Sequence, residues 1–185
     1  MRAELERSEE ELRSGEEGTV SLCSLTTGGE MFCIDTKRIH EVLGECAIQK
    51  IPLAPAYIAG VIPNRGAVLT TVSLRALLGM EKQDGLGAVL VLKDEQEDER
   101  FGLMVDAVGG VVMVSAENLE ANPSTLDVRS KALFDGAYKL QTSLMVRLDT
   151  AKLCPSRLSG IGIFGNEAAS RREAAKKNGE PICEY

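Results

Sequence analysis

The chain has 185 residues, of which 44% are apolar and 26% charged, and its net charge is −7. This length and apolar fraction predict one compact body with a real core, and that core must be mainly aliphatic because aromatic residues make up only 4%. The acidic balance, with an isoelectric point of about 4.9, argues against nucleic-acid binding, which needs a basic surface. No apolar run approaches the ~18 residues of a membrane span, so we expect no direct membrane insertion.

The chain opens with a highly charged segment, residues 1–18, which has no apolar stretch typical of a signal peptide. We therefore expect a flexible acidic N-terminal tail and a cytoplasmic location. Two short, largely apolar runs follow, at 20–25 and 31–34, and they predict a hairpin around Gly28-Gly29.

A short helix is predicted next, from Asp35 or Thr36 through Leu43, because Ile39, Val42 and Leu43 recur at helical spacing. Gly44 would end this helix. Residues 47–51 then read as a further strand, and the prolines that follow it force an extended connection.

The most informative stretch, residues 57–80, reads as an apolar strand, a tight turn, a second strand and a helical turn. The turn is predicted over Pro63-Asn64-Arg65-Gly66, residue types that suit tight turns, and the β-branched run 67–72 follows it. An arginine on a hairpin turn is a recognition device, because its planar guanidinium can pair with a carboxylate through two hydrogen bonds.

After a loop near 79–87, a second apolar series predicts further strands, at 88–92, 101–105, 111–114, 138–141 and 144–148. Residues 123–131 read as a polar loop and 134–137 as a turn, and we expect a C-terminal tail over 166–185. Two similar strand series predict two small five-stranded barrels within residues 19–165, with a lobe boundary near 80–87. The two lobes must share an apolar core, because ~70 residues alone give a marginal one.

Three stretches resemble the CheW-like coupling domain of bacterial chemotaxis, and the resemblance covers roughly residues 19–154, most of the chain. The first is Ile34-Asp35 with Ile39-His40-Glu41-Val42. The second is Gly60-Val61-Ile62 followed by Arg65-Gly66, Val72, Leu74 and Arg75. The third is Gly102-Leu103-Met104-Val105-Asp106-Ala107-Val108. The chain departs from the family pattern at Pro63, Asn64, Thr70 and Ser73, where the family has Asn, Leu, Pro and Asp.

The resemblance implies an all-β fold of two SH3-like five-stranded barrels that share an apolar core. It also implies a non-enzymatic adaptor that couples the cytoplasmic tips of chemoreceptors, the methyl-accepting chemotaxis proteins, to the histidine kinase CheA. The kinase's regulatory domain would have the same fold and would pair with this chain barrel to barrel through an apolar patch. By resemblance, the receptor-binding residues are Arg65, Ile39, Glu41 and Val111. A divergent coupler in a receptor–kinase array for development or twitching motility is the alternative.

An enzyme is the remote alternative, for instance a cysteine-dependent one. His40 is the only histidine, and no catalytic or phosphate-binding motif is apparent, so we expect no catalytic residue and no cofactor. The five cysteines, Cys23, Cys33, Cys46, Cys154 and Cys183, lack the spacing of a zinc site and read as reduced thiols. The acidic run 94–99 lacks the ligand pattern of an EF-hand, so we expect a solvated hairpin tip and no metal.

Overall fold

The computed structural model describes residues 18–81, 87–94, 99–141 and 143–160. Within these ranges the strands are β1 Thr19–Thr27, β2 Glu30–Asp35, β3 Ile39–Glu45, β4 Ile58–Asn64, β5 Ala67–Ser73, β6 Ala88–Lys93, β7 Arg100–Val105, β8 Ala107–Ser115, β9 Leu119–Glu120, β10 Phe134–Lys139 and β11 Leu144–Leu148. The helices are short: α1 Leu74–Leu77, α2 Val128–Leu133 and α3 Pro155–Leu158, with 3₁₀ turns at Thr36–Arg38 and Ala116–Asn118. Among the described residues, no helix is long and apolar enough to cross a membrane. Except for Gly18, both expected tails lie outside the described residues.

The strands form two sheets, one of six strands in the order β8-β1-β2-β11-β10-β9 and one of five in the order β3-β6-β7-β5-β4. The expected all-β class is confirmed, although one sheet has six strands where five were expected. Each sheet contains strands from both sides of residues 80–87. Sequence order therefore does not separate the two sheets at that position, because β1 and β2 pair with strands from the second half of the chain.

Both sheets curl toward closure. In the five-stranded sheet, Gln49 exchanges two backbone hydrogen bonds, of 2.9 and 2.8 Å, with Val61 of the edge strand β4. Since Gln49 follows β3, at the other edge, this bridge brings the two edges together. In the six-stranded sheet the edge strands β8 and β9 are consecutive and are separated only by the turn Ala116–Asn118. A closed sheet leaves few exposed edge groups, which is how small antiparallel barrels avoid edge-to-edge association.

The core has one part shared by the two sheets and one part inside each sheet. Strand β6 shows how the sequence sorts them: Leu90 and Leu92 face the shared cluster, whereas Val89 and Val91 face the cluster inside the five-stranded sheet. Successive strand residues point to opposite faces, so an unbroken apolar run is expected where both faces are buried. The cluster inside the six-stranded sheet consists of Leu22, Cys33, Tyr138 and Met145.

The predicted helix through Leu43 is wrong, because residues 39–45 form strand β3. Ile39, Glu41 and Leu43 are half-buried and alternate with exposed His40 and Val42, which is the period of a strand. Pairing with β6 along most of its length decided the structure here. Tertiary pairing of this kind overrides a local spacing that also fits a helix.

Other local predictions were corrected in the same way. Residues 47–51 form no strand beyond the single bridge at Gln49, residues 128–133 are helical where a loop was expected, and residues 134–137 belong to β10 where a turn was expected. Gly109 and Gly110 form a β-bulge, because both lie opposite Ser24 in the register of β8 with β1. Asp94 is 4% exposed and lies 3.3 Å from Arg157 Nη2, so the start of the acidic run is buried. Residues 95–98 lie outside the described ranges.

Candidate functional site

The turn that carries the predicted recognition arginine is a two-residue loop. Asn64 pairs with Ala67, so Arg65 and Gly66 alone connect β4 to β5. Both have positive φ, 49° and 83°, as the turns that suit two-residue hairpins require. The predicted turn is therefore confirmed at Arg65, but Asn64 belongs to β4, and Pro63 lies on that edge strand, a position where proline removes little pairing.

Glu41 is the partner of Arg65. Arg65 Nη2 donates to Glu41 Oε1 at 3.0 Å, and Asn64 Nδ2 donates to Glu41 Oε2 at 3.3 Å. Glu41 lies on β3 and the turn lies at the end of β4, so the closure of the sheet brings these residues together. We call Glu41, Asn64 and Arg65 the turn cluster.

The turn cluster combines a partly buried carboxylate, Glu41, with an exposed guanidinium, Arg65. The hydrogen bonds from Arg65 and then Asn64 keep the pKa of the Glu41 carboxyl below its usual range, so Glu41 is ionised at neutral pH. The side chain of Glu41 is 24% exposed, whereas that of Arg65 is 73% exposed. A guanidinium has five N–H donors, and this geometry leaves most of them open to a carboxylate of a partner.

The remaining two predicted site residues occupy different surroundings. Ile39 lies two residues before Glu41 on β3 and is half-buried against the shared core. Val111 lies on β8, an edge strand of the other sheet, where it and Met113 are each 63% exposed. The structure therefore brings Arg65 and Glu41 into contact and puts Val111 on an exposed apolar edge of the second sheet. A bulge separates Ile39 from Glu41 on β3, so that Ile39 pairs with Leu92 and faces the shared core, whereas Glu41 pairs with Val91.

A second arginine–carboxylate pair was not predicted. Arg75 Nε donates to Asp106 Oδ1 at 2.7 Å, and Arg75 Nη2 donates to Asp106 Oδ2 at 2.6 Å. The Gly28 N–H donates to Asp106 Oδ2 at 2.8 Å. We call Arg75, Asp106 and Gly28 the crossover clamp. Arg75 and Asp106 were both noted in the sequence as motif residues, but they are 31 positions apart and nothing local pairs them.

Two of the motif departures keep the local geometry intact. Ser73 occupies the position before α1, and its side chain accepts a hydrogen bond from the Ala76 N–H at 3.3 Å. Serine and aspartate cap helices about equally well, so the replacement of Asp at this position preserves the cap. Asn64, in place of the family's apolar residue, adds the second hydrogen bond to Glu41.

The residues considered for catalysis have ordinary surroundings. His40 is exposed on β3. Of the described cysteines, Cys23, Cys33 and Cys154 are buried and Cys46 is half-buried, all as free thiols, and Cys183 lies outside the described residues. Burial raises the pKa of the Cys33 thiol to about 12, the opposite of the activation that a nucleophilic cysteine needs.

Comparison with known proteins gives a consistent result. The family model described as "CheW-like domain" matches residues 21–157. The chain is 27% identical over 139 residues to a chemotaxis protein CheW of Rhizobium meliloti, a match that covers 75% of this chain and 90% of that protein. It is 25% identical over 142 residues to a chemotaxis protein CheW of Treponema pallidum, covering 74% of this chain and 82% of that protein.

A solved structure shares the fold. The scaffolding protein TtCheW from Thermoanaerobacter tengcongensis superposes with a TM-score of 0.64 at 23% sequence identity. The match covers 70% of this chain and 88% of that one. At this level of identity the likeness establishes the two-sheet architecture alone.

Proposed function

Since the chain belongs to the CheW-like family of chemotaxis scaffold proteins, which are adaptors and not enzymes, we propose that it couples chemoreceptor tips to the regulatory domain of the histidine kinase CheA. It would act in the cytoplasm, where the receptor tips lie. The signal would pass through it by contact alone.

The observation that carries the proposal is the exposed guanidinium of the turn cluster. Arg65 is 73% exposed on a two-residue turn, and Glu41 restrains it through one contact of 3.0 Å. A restrained and exposed arginine loses little side-chain entropy when it binds, and its planar fork suits the carboxylates of a receptor helix. Ile39, half-buried on the strand that carries Glu41, would supply apolar contact to the same receptor helix.

The chemotaxis role is favoured over a divergent array because two of the four motif departures preserve the local structure. Ser73 keeps the helix cap, and Asn64 strengthens the hold on Glu41. The kinase contact, which the family resemblance assigns to an apolar patch, would lie away from Arg65. Receptor binding and kinase binding should therefore respond differently to a change at this turn.

The test is a calorimetric titration of wild type, Arg65→Ala and Arg65→Lys against a receptor-tip fragment and against the kinase regulatory domain. We expect Arg65→Ala to weaken receptor binding by about 10- to 100-fold, the loss that goes with a charge-assisted hydrogen bond. Arg65→Lys should recover only part of this, because an ammonium cannot make the two-pronged contact. Kinase binding should change little in either variant.

Lys139→Ala is the matched control. Lys139 is 71% exposed and also pairs with a carboxylate, Glu120 Oε1 at 2.8 Å, but it lies on the six-stranded sheet. Its removal should leave both affinities unchanged. Equal receptor affinities in wild type and Arg65→Ala would remove Arg65 from the site, and a wild type that binds neither fragment would point to a different receptor–kinase array.

A further inference from the structure

Asp106 stands where the chain crosses from one sheet to the other. Strand β7 of the five-stranded sheet ends at Val105, and β8 of the six-stranded sheet begins at Ala107. A single residue therefore separates the two sheets here. Within the described ranges, the other passage between the sheets is the 3₁₀ turn Thr36–Arg38, between β2 and β3.

The carboxylate of Asp106 is bound from both sides of this crossing. Arg75, which provides the contacts of 2.7 and 2.6 Å, lies on α1, directly after β5 of the five-stranded sheet. Gly28, whose N–H donates at 2.8 Å, lies in the turn between β1 and β2 of the six-stranded sheet. The Asp106 N–H also donates to the Thr26 carbonyl of β1 at 3.1 Å. The crossover clamp thus ties an element of each sheet to the residue that links them.

Close packing reinforces this contact. Gly28 has φ +65°, in the left-handed region that favours glycine, and its turn packs against the side chain of Met80, which follows α1. The β1–β2 turn and the segment after α1 are therefore in direct contact. The hydrogen bonds from Arg75 also favour the ionised form of Asp106, because they hold the pKa of its carboxyl below its usual range.

The attraction within the shared core is not directional. Its members are aliphatic or aromatic side chains and two cysteines, and apolar attraction has no preferred direction. A bidentate guanidinium–carboxylate contact fixes both distance and orientation. The side chains of Arg75 and Asp106 are 21% and 25% exposed, so solvent screens this contact less than it screens a surface pair.

We propose that Arg75 and Asp106 are positioning residues that hold the two sheets in one relative orientation, and thereby align the turn cluster with the apolar edge of β8 for a single partner. The alignment matters because Arg65 lies on the five-stranded sheet and Val111 on the six-stranded sheet. The claim that this alignment serves a partner rests on the proposed receptor contact. The claim that the crossover clamp sets the orientation of the two sheets does not depend on it.

The first measurement is the orientation of the sheets in solution. Backbone residual dipolar couplings of wild type, Arg75→Gln and Asp106→Asn are fitted separately for the two sheets. In wild type we expect one alignment tensor to fit both sheets, and in the two variants we expect the tensors to diverge while each sheet still fits internally. Arg147→Gln is the control, because Arg147 is 25% exposed and pairs with Asp135 at 3.5 Å within the six-stranded sheet. It should leave one common tensor.

The second measurement is binding to the receptor-tip fragment and to the kinase regulatory domain. Arg75→Gln should weaken receptor binding about tenfold, because a misaligned pair of sheets cannot present both surfaces at once. Binding of the kinase domain, which pairs with one barrel, should be nearly unchanged, and Arg147→Gln should change neither. Arg75→Lys, which keeps the charge but not the fork, should fall between wild type and Arg75→Gln in both measurements.

The outcomes separate this inference from the proposed function. A common tensor in Arg75→Gln, or divergent tensors with unchanged receptor affinity, would overturn the positioning role. If Arg75→Gln does not fold, the same two criteria apply to Arg75→Lys. A wild type that does not bind the receptor fragment would count against the proposed function, while the dipolar couplings would still decide whether the clamp sets the orientation.

Discussion

Two of the arginine–carboxylate pairs in the described part of the chain, the turn cluster and the crossover clamp, differ in what they can do. In the turn cluster, Arg65 makes one contact of 3.0 Å and remains 73% exposed. In the crossover clamp, Arg75 makes two contacts of 2.7 and 2.6 Å with Asp106 and one of 3.2 Å with the Glu81 carbonyl, and its side chain is 21% exposed. An arginine whose fork is already occupied offers little to a partner, whereas one that is only restrained offers most of its donors. The geometry of the pair, more than its chemistry, distinguishes a binding residue from a positioning residue.

The largest expected effect is on stability at the clamp. Asp106→Ala should lower the free energy of unfolding by about 2–3 kcal/mol, because it leaves the Arg75 guanidinium and the Gly28 N–H without their acceptor. The measurement is urea unfolding at neutral pH. Glu120→Ala, which removes an exposed partner of Lys139, serves as control and should cost less than about 0.5 kcal/mol. Similar losses in the two variants would mean that the crossover clamp stabilises the fold no more than an exposed surface pair does.

The crossover clamp should also affect how the free energy of unfolding depends on pH. The folded pKa of Asp106 lies below its ordinary value of 3.8, so its contribution is present above that value and is lost as the pH falls through the folded pKa. Asp106→Asn lacks this contribution at every pH. The stability difference between wild type and Asp106→Asn should therefore be constant near neutrality and should shrink below about pH 4. A difference that widens on acidification would contradict this assignment.

A smaller effect is expected from the backbone of the turn. Arg65 has φ +49°, a conformation that costs a residue with a side chain about 1 kcal/mol and costs glycine almost nothing. Arg65→Gly should therefore unfold at higher urea than Arg65→Ala, since both lack the guanidinium and differ only in this strain. The same comparison at Lys139, the last residue of strand β10, should give the opposite order, because glycine weakens a strand.

The smallest expected effect is on stability at the turn cluster itself. Glu41→Gln removes the charge that faces Arg65 but keeps a polar side chain of the same size. Because Arg65 is largely exposed, solvent and salt screen this pair, and the urea midpoint at physiological ionic strength should not change measurably. A clear loss of stability would mean that the turn cluster supports the fold as the clamp does.

The sequence predicted the hairpins well because their causes are local. Gly28-Gly29 between two apolar runs indicated β1 and β2, and the turn residues around Arg65 indicated β4 and β5. The resemblance supplied the family, which the match over residues 21–157 confirms. The receptor-binding role of Arg65, Ile39, Glu41 and Val111 stays a prediction.

The pairing of strands that are distant in sequence could not be predicted from local patterns. The spacing of Ile39, Val42 and Leu43 fits a helix as well as a strand, and only the presence of β6 beside these residues made them β3. The assignment of β1 and β2 to the sheet of β8–β11 likewise depends on strands that lie far away in sequence.

By itself, the sequence determined the local events: where the chain turns, which runs are apolar on one face or both, and that an arginine stands on a turn. The tertiary structure decided which partners those elements find. It closed β3 onto β4 and so gave Arg65 its carboxylate, and it joined Arg75 to Asp106 at a crossing between the sheets. The physical reason is that turns and alternation depend on neighbouring residues, whereas the meeting of distant strands depends on how the whole chain buries its apolar faces.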